Sequence, residues 1–330
     1  MQVPNKILQI IEIPHLALLS VIFGMMLLSF PIGVFVVFNT DIGDDVNFQY
    51  PLNSLGIFQE IGYLIPSYIE IGDVFIVLWS VYVILFTIAM FGPDKGFLKI
   101  LSARLSHVKL ETKSNYLVHI IKWFSILILI SIIIDFIQQG FGLVTVPPPV
   151  DNNLTQFLYV NISPIIEEFG FRVILIGLPL FVFYSHKLSL KHFFKSLWTP
   201  NCNLHVYDFR KTLFLIVLVG IFFGLSHIMI GEPWSDGKFA QATASGIILG
   251  WLYFRFGLIT AILVHWGTNY FIFSYANFIS QINDMTIDAA FSHPLINTME
   301  ILFLISGIFS ISVLLINYFN SKKEQKLKIE

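Results

Sequence analysis

Three short polar patterns stand out in an otherwise apolar sequence. They are Glu167-Glu168 with Arg172, Phe223 with His227, and His265 with Asn269. Carboxylates and imidazoles move protons near neutral pH, and an amide beside an imidazole can donate to a developing oxyanion. On a helix, Glu168 and Arg172 stand at i and i+4, the spacing that lets them pair. Glu167 points about 100° away and has no counter-ion on its own helix. His265 and Asn269 face one direction, and Phe223 packs one turn behind His227. Glu167, Glu168, His227, His265 and Asn269, with Arg172 and Phe223 in support, form a set that could hold and polarise one water and receive an oxyanion. The alternative is structural. A buried Glu–Arg pair can serve packing alone, and a lone histidine in a helix is commonly a satisfied hydrogen-bonder.

The elements that must position these residues follow from composition. Of 330 residues, 56% are hydrophobic and 12% charged, about half the charge of a soluble domain. Such a chain cannot cover a water-soluble globule. A net charge of −2 offers no basic face to nucleic acid. The single cysteine, Cys202, excludes a disulfide framework or a multi-thiolate metal site. The expected class is an all-α membrane protein, a polytopic bundle of about eight transmembrane helices, read as one integral-membrane domain over 1–330.

Eight apolar runs are candidates to cross a hydrocarbon core of about 30 Å. They are Leu16–Phe38, Val74–Phe91, Ile120–Ile137, Phe157–Tyr184, Leu213–Ile230, Phe239–Phe254, Phe256–Phe273 and Ile301–Phe319, the third and sixth being short or interrupted. The runs are continuous rather than alternating, which argues against a barrel. Seventeen of the nineteen basic residues fall in the termini and alternate links, Lys238 alone falls in the opposite links, and Arg172 lies within a span. The positive-inside rule then places both termini in the cytoplasm. It also puts Glu167 in the outer half of the fourth span and His227 at the outer end of the fifth. Asp73, Asp135, Glu300, His15 and His119 read as interfacial. Ionisable groups inside spans cost about 2.5–3.5 kcal/mol each on insertion scales, so polar sets on three different spans point to function more than to packing.

Other protease signatures are missing. There is no His-Glu-x-x-His helix, no Gly-x-Ser-x-Gly elbow and no supported pair of intramembrane aspartates. The three motifs do resemble, in order and spacing, those of the CPBP family, which comprises CAAX prenyl endopeptidases and bacteriocin-processing enzymes and is also called the Abi family. The stretch from Gly246 to Asn269, with Gly250-Trp251-Leu252-Tyr253 and Arg255-Phe256-Gly257, is similar to that family's approach to its last motif. The resemblance spans roughly 155–275, read as a CAAX-protease-like catalytic core. It implies a glutamate-dependent intramembrane endopeptidase of eight helices. By that analogy Glu167 activates water with His227, His265 and Asn269 stabilise the oxyanion, and Glu168 and Arg172 are structural or assisting.

No cofactor is expected. A metal would be zinc, held by Glu167, His227 and His265 with an open position for water. The implied partners are the bilayer and a membrane-associated peptide or protein substrate, lipidated tails included. Two readings from other classes stay open: a non-catalytic membrane scaffold or regulator of the same fold, and a cation- or proton-coupled carrier. The carrier reading lacks the paired repeats and broken helices of such folds.

Overall fold

The fold is described from a computed structural model, which covers residues 6–43, 45–55, 62–93, 96–105, 115–148, 152–229 and 234–327. These residues are helical throughout, apart from links and two isolated bridges, Pro51 with Glu70 and Pro93 with Asn115. The helices are α1 (Lys6–Asn39), α2 (Ile71–Phe91), α3 (Phe97–Leu105), α4 (Tyr116–Gly140), α5 (Asn153–Glu167), α6 (Leu178–Tyr184), α7 (Leu190–Trp198), α8 (Pro200–Asn203), α9 (Phe209–Met229), α10 (Lys238–Phe256), α11 (Leu258–Trp266), α12 (Ile272–Asn283), α13 (Ile287–Phe291) and α14 (Pro294–Leu327). Two π-helical stretches, Glu168–Gly177 and Gly267–Phe271, join α5 to α6 and α11 to α12 without a break.

Among the described residues, five helices are long and apolar enough to cross a membrane: Ile10–Asn39, Ile71–Phe91, Tyr116–Gly140, Phe209–Met229 and Pro294–Lys322. They match the first, second, third, fifth and eighth expected runs. The other three runs are helical too, but they carry the motif glutamates and arginine, a Gly- and Ser-bearing α10, and the His265 segment. The third span is not short. Helix α4 has 25 residues, starting where the Asn115 side chain accepts from the Leu117 and Val118 amides and continuing past Asp135. Outward-facing residues on α2, such as Val77 and Ile84, are exposed and apolar, as a lipid-facing surface requires.

Helix α11 lies at the centre. All nine of its residues are buried, and it packs against α2, α4, α5 and α10. A helix apolar on every side has nowhere else to go. Its last residue, Trp266, anchors an aromatic cluster. The Trp266 ring stacks on Phe30 at 5.3 Å, meets Phe86 edge-on at 5.1 Å and stacks on Tyr270 at 5.2 Å. Tyr270 stacks in turn on Phe157 of α5 and donates to the Ser29 carbonyl at 3.1 Å. This cluster fixes how far α11 sits from α5, and so where His265 points. The turn from α10 into α11 needs Gly257, whose φ is +93° and where a side chain would meet the Trp198 carbonyl.

Helices α9 and α10 cross closely on small residues. Gly220 on α9 lies against Ile247 and Gly246 of α10, Gly224 lies against Thr243 and the Phe239 carbonyl, and Gly250 of α10 lies against Ile216 of α9. A Cβ added at Gly246 would lie 3.0 Å from the Gly220 Cα and carbonyl oxygen. Such stripes let backbones approach without help from the hydrophobic effect, which is weak in lipid. Gly220→Val or Gly246→Val should therefore destabilise by an overpacking penalty of about 1–3 kcal/mol. Gly24→Ala, where an added Cβ meets nothing within 4 Å, should not. Thermal unfolding of the purified protein in detergent distinguishes them, and equal midpoints would contradict the close crossing.

Candidate active site

All seven motif residues meet in one place, brought there by α5 with its π-helical continuation, by α9 and by α11. Glu168 is the hub. Its side chain is 0% exposed, with Oε1 2.9 Å from His265 Nδ1 and Oε2 3.0 Å from Arg172 Nε. A carboxylate only accepts, so His265 Nδ1 carries the proton and donates. The Arg172 contact is a charge pair too bent for a hydrogen bond. Arg172 instead rests its guanidinium over the Phe223 ring, 4.5 Å from the centroid. Phe223 thus ties the second motif to the first. The same ring packs edge-on against His227 at 4.6 Å and faces His265 at 6.0 Å.

With Nδ1 engaged, His265 presents Nε2 to the remaining groups. Glu167 Oε2 lies 3.8 Å from it, and Asn269 Nδ2 lies 3.3 Å from it. His227 donates through Nδ1 to the Phe223 carbonyl at 2.8 Å, which leaves its Nε2 free. Glu167 is 26% exposed and within electrostatic reach of His227 and Lys238. Two adjacent carboxylates therefore differ sharply. Glu168 is enclosed and doubly engaged, whereas Glu167 is partly exposed beside two imidazoles and its buried Oε2 has no hydrogen-bond partner.

Several contributors escape motif spacing. Ser163 accepts from Asn269 Nδ2 at 3.2 Å, and Thr268 donates to the His265 carbonyl at 2.8 Å. Ser163 stands one helical turn before Glu167, a spacing that could have flagged it. Lys238, counted in the sequence only as the odd basic residue, holds its ammonium over Trp234 at 4.1 Å. The segment bearing Trp234 is tied down from both sides. Trp234 N donates to the His227 carbonyl at 3.0 Å, and Ser235 bonds the Val144 carbonyl and the Val146 amide.

The glutamate and two histidines do not form a preformed ion site. Among the described residues, no three His, Cys, Asp or Glu groups stand close enough together to hold a metal. Cys202 is exposed and free. His15 and His119, expected at the interface, are sheltered instead. His15 is buried, 2.9 Å from Ser310 Oγ, and His119 stacks on Phe256 at 4.2 Å.

A polytopic helical protein with a buried Glu–His–Arg centre is the class that fold and site define. Residues 150–271 match the family described as Type II CAAX prenyl endopeptidase Rce1-like, about a third of the chain and the part that carries all three motifs. The resemblance read from the motifs holds over that segment. No curated protein and no solved structure matches the chain significantly.

Removing Glu168 would strand Arg172 as an uncompensated buried cation, which typically costs about 3–5 kcal/mol. Glu168→Ala should thus lower the thermal midpoint sharply. The double variant Glu168→Leu with Arg172→Met should recover most of it, because both charges then leave the interior. A double variant no more stable than Glu168→Ala would show that the pair is not the source of the loss.

Proposed function

We propose that the chain is an intramembrane endopeptidase that hydrolyses a peptide bond with a water activated by Glu167. The observation that carries this reading is the division of labour between neighbouring glutamates: Glu168 is locked between Arg172 and His265, which leaves Glu167 as the accessible carboxylate. In the proposed reaction the Glu167 carboxylate takes a proton from water as the water oxygen attacks the substrate carbonyl carbon. His227 holds that water through Nε2. The carbonyl oxygen becomes an oxyanion and receives hydrogen bonds from Asn269 Nδ2 and from the Nε2–H of His265 in its imidazolium form, while its Nδ1–H stays on the Glu168 carboxylate. The tetrahedral species then collapses. The carbon–nitrogen bond breaks, and the proton held by Glu167 passes to the leaving amine. Glu168 and Arg172 act as positioning residues and Phe223 as the packing link between motifs.

The substrate class is a membrane-associated peptide or protein, with prenylated CAAX-type tails the form named in the family description. We also propose the eight-span arrangement with both termini cytoplasmic, in which α5 with α6, α10, and α11 with α12 complete the five long apolar helices. That arrangement places Glu167 in the outer half of its span, so substrate reaches it from the outer leaflet or laterally through the bilayer.

Cleavage of a mixed set of prenylated and unprenylated peptides, read by mass spectrometry, tests this reading. Glu167→Gln and His265→Ala should each lower the rate about 10²–10⁴-fold, and Asn269→Ala about 10²–10³-fold, with Glu167→Gln leaving the thermal midpoint unchanged. A chelator arm reports metal dependence in the same assay. Undiminished cleavage by Glu167→Gln would overturn the assignment.

A further inference from the structure

The link between α6 and α9 holds the other cluster of ionisable rings. His186 and His205 lie stacked, with centroids 3.9 Å apart and planes 6° from parallel, and His192 meets His186 at 4.8 Å. The cluster is anchored, since His205 N donates to the Tyr184 carbonyl at 3.4 Å and His192 Nε2 lies 3.5 Å from Ser196 Oγ. Stacked parallel rings send their nitrogen lone pairs side by side rather than to a common point, a geometry unsuited to a shared metal ion. The surroundings are cationic, with Lys187 next in the chain and Lys191 and Lys195 on α7.

Helix α7 has two unlike strips on its outer side. Leu190, Phe194 and Trp198 follow one another at four-residue spacing and are 78%, 66% and 41% exposed. Lys191 and Lys195 run beside them, also exposed. Ser196 and Leu197, by contrast, are buried. An apolar strip flanked by a basic one is the pattern of a helix lying at the boundary of headgroups and acyl chains. The position agrees, because the link joins the end of α6 to the start of α9, one of the long apolar helices.

We propose that α7 and the three-histidine cluster form a binding site for anionic phospholipid headgroups of the host bilayer, and that this site tightens on acidification. The headgroup phosphate accepts from the lysine ammoniums and the imidazole N–H groups while the apolar strip enters the acyl boundary. Without an anion, His186 is held below the ordinary imidazole range, first by desolvation and then by the positive charges of His205, His192 and Lys187. A phosphate favours the charged form of His186, so its pKa is higher with lipid bound. The added affinity is complete below the lipid-free value and is lost as pH rises through the lipid-bound value. No carboxylate nearby is free to substitute for the phosphate. Asp208 pairs with Lys211 at 3.4 Å. Of the elements packed on α7 and α8, the π-helical stretch carries Glu168, already engaged, and Arg172; α6 carries Tyr184; α11 carries His265; and α10 carries Lys238, Arg255 and Tyr253, whose hydroxyl donates to the Leu197 carbonyl at 2.7 Å.

Cys202, the single cysteine of the chain, is exposed on α8 three residues from His205 and takes an environment-sensitive fluorophore without further mutation. The labelled full chain is placed in nanodiscs of phosphatidylcholine with increasing fractions of phosphatidylserine. Between about pH 7.5 and about pH 5.5, the phosphatidylserine fraction giving half of the blue shift should fall at least about five-fold, the effect of one added surface charge. Lys191→Gln with Lys195→Gln should weaken the response at both pH values. Gln at His186, His192 and His205 together should remove the pH dependence and leave the lysine-dependent part. An equal acid-induced shift in pure phosphatidylcholine, a shift reproduced by inorganic phosphate, or a pH dependence that survives the triple substitution would each overturn the proposal. None of these readouts involves peptide cleavage, so the site stands or falls independently of the protease reading.

Discussion

A single buried carboxylate sets the terms for the rest of the interior. Glu168 sits at 0% exposure between Arg172 and His265, and a charge so placed is tolerable only if its partners are held in position. One partner comes from its own helix and the other from α11, nearly a hundred residues later in the chain. The Arg172 guanidinium then needs the Phe223 face, which fixes α9 against both. Three helices are thereby committed to one register by one ion. The aromatic cluster around Trp266 and the small-residue crossing of α9 with α10 make the same commitment through packing. Ionic and steric constraints converge on the same geometry.

That convergence has a chemical consequence. Because Glu168 spends both oxygens on positioning, it sets the orientation of the His265 ring and frees Nε2 for Glu167 and Asn269 to approach. The neighbouring glutamate is left partly exposed beside an imidazole whose other nitrogen is already assigned. A second carboxylate that orients an imidazole is a familiar arrangement in hydrolytic sites. Here it is built across helices rather than loops. Two of the three motif helices also turn π-helical next to the site, after Glu167 and after Trp266, as helices often do where they carry function.

How much of this was legible in the sequence depends on the range of each interaction. The Glu168–Arg172 pair, the common direction of His265 and Asn269, and the edge-on contact of Phe223 with His227 all follow from helical spacing within one element. The bond from Glu168 to His265 does not, because spacing says nothing about which helices lie side by side. Spacing could place Ser163 one turn before Glu167 but not its bond to Asn269 on another helix, and the π-helical stretches are a response of the backbone to packing. Hydropathy alone confines α4 to Ile120–Ile137, between His119 and Gln138, whereas the helix runs from Tyr116 to Gly140. The helix extends further because its polar ends are sheltered or capped, His119 by Phe256 and the first turn by Asn115. The same trade-off affects the motif helices, whose functional charges lower the apolar signal that would mark them as spans.

The claim that Glu167 acts on water, rather than attacking substrate itself, can be tested directly by following oxygen. A single turnover of cleavage in water enriched in heavy oxygen, with substrate fragments and digested enzyme both read by mass spectrometry, separates the two. The account predicts one heavy oxygen in the new carboxyl terminus of the peptide fragment and none in the enzyme. Heavy oxygen in the side chain of Glu167 or Glu168, with none in the fragment, would contradict it.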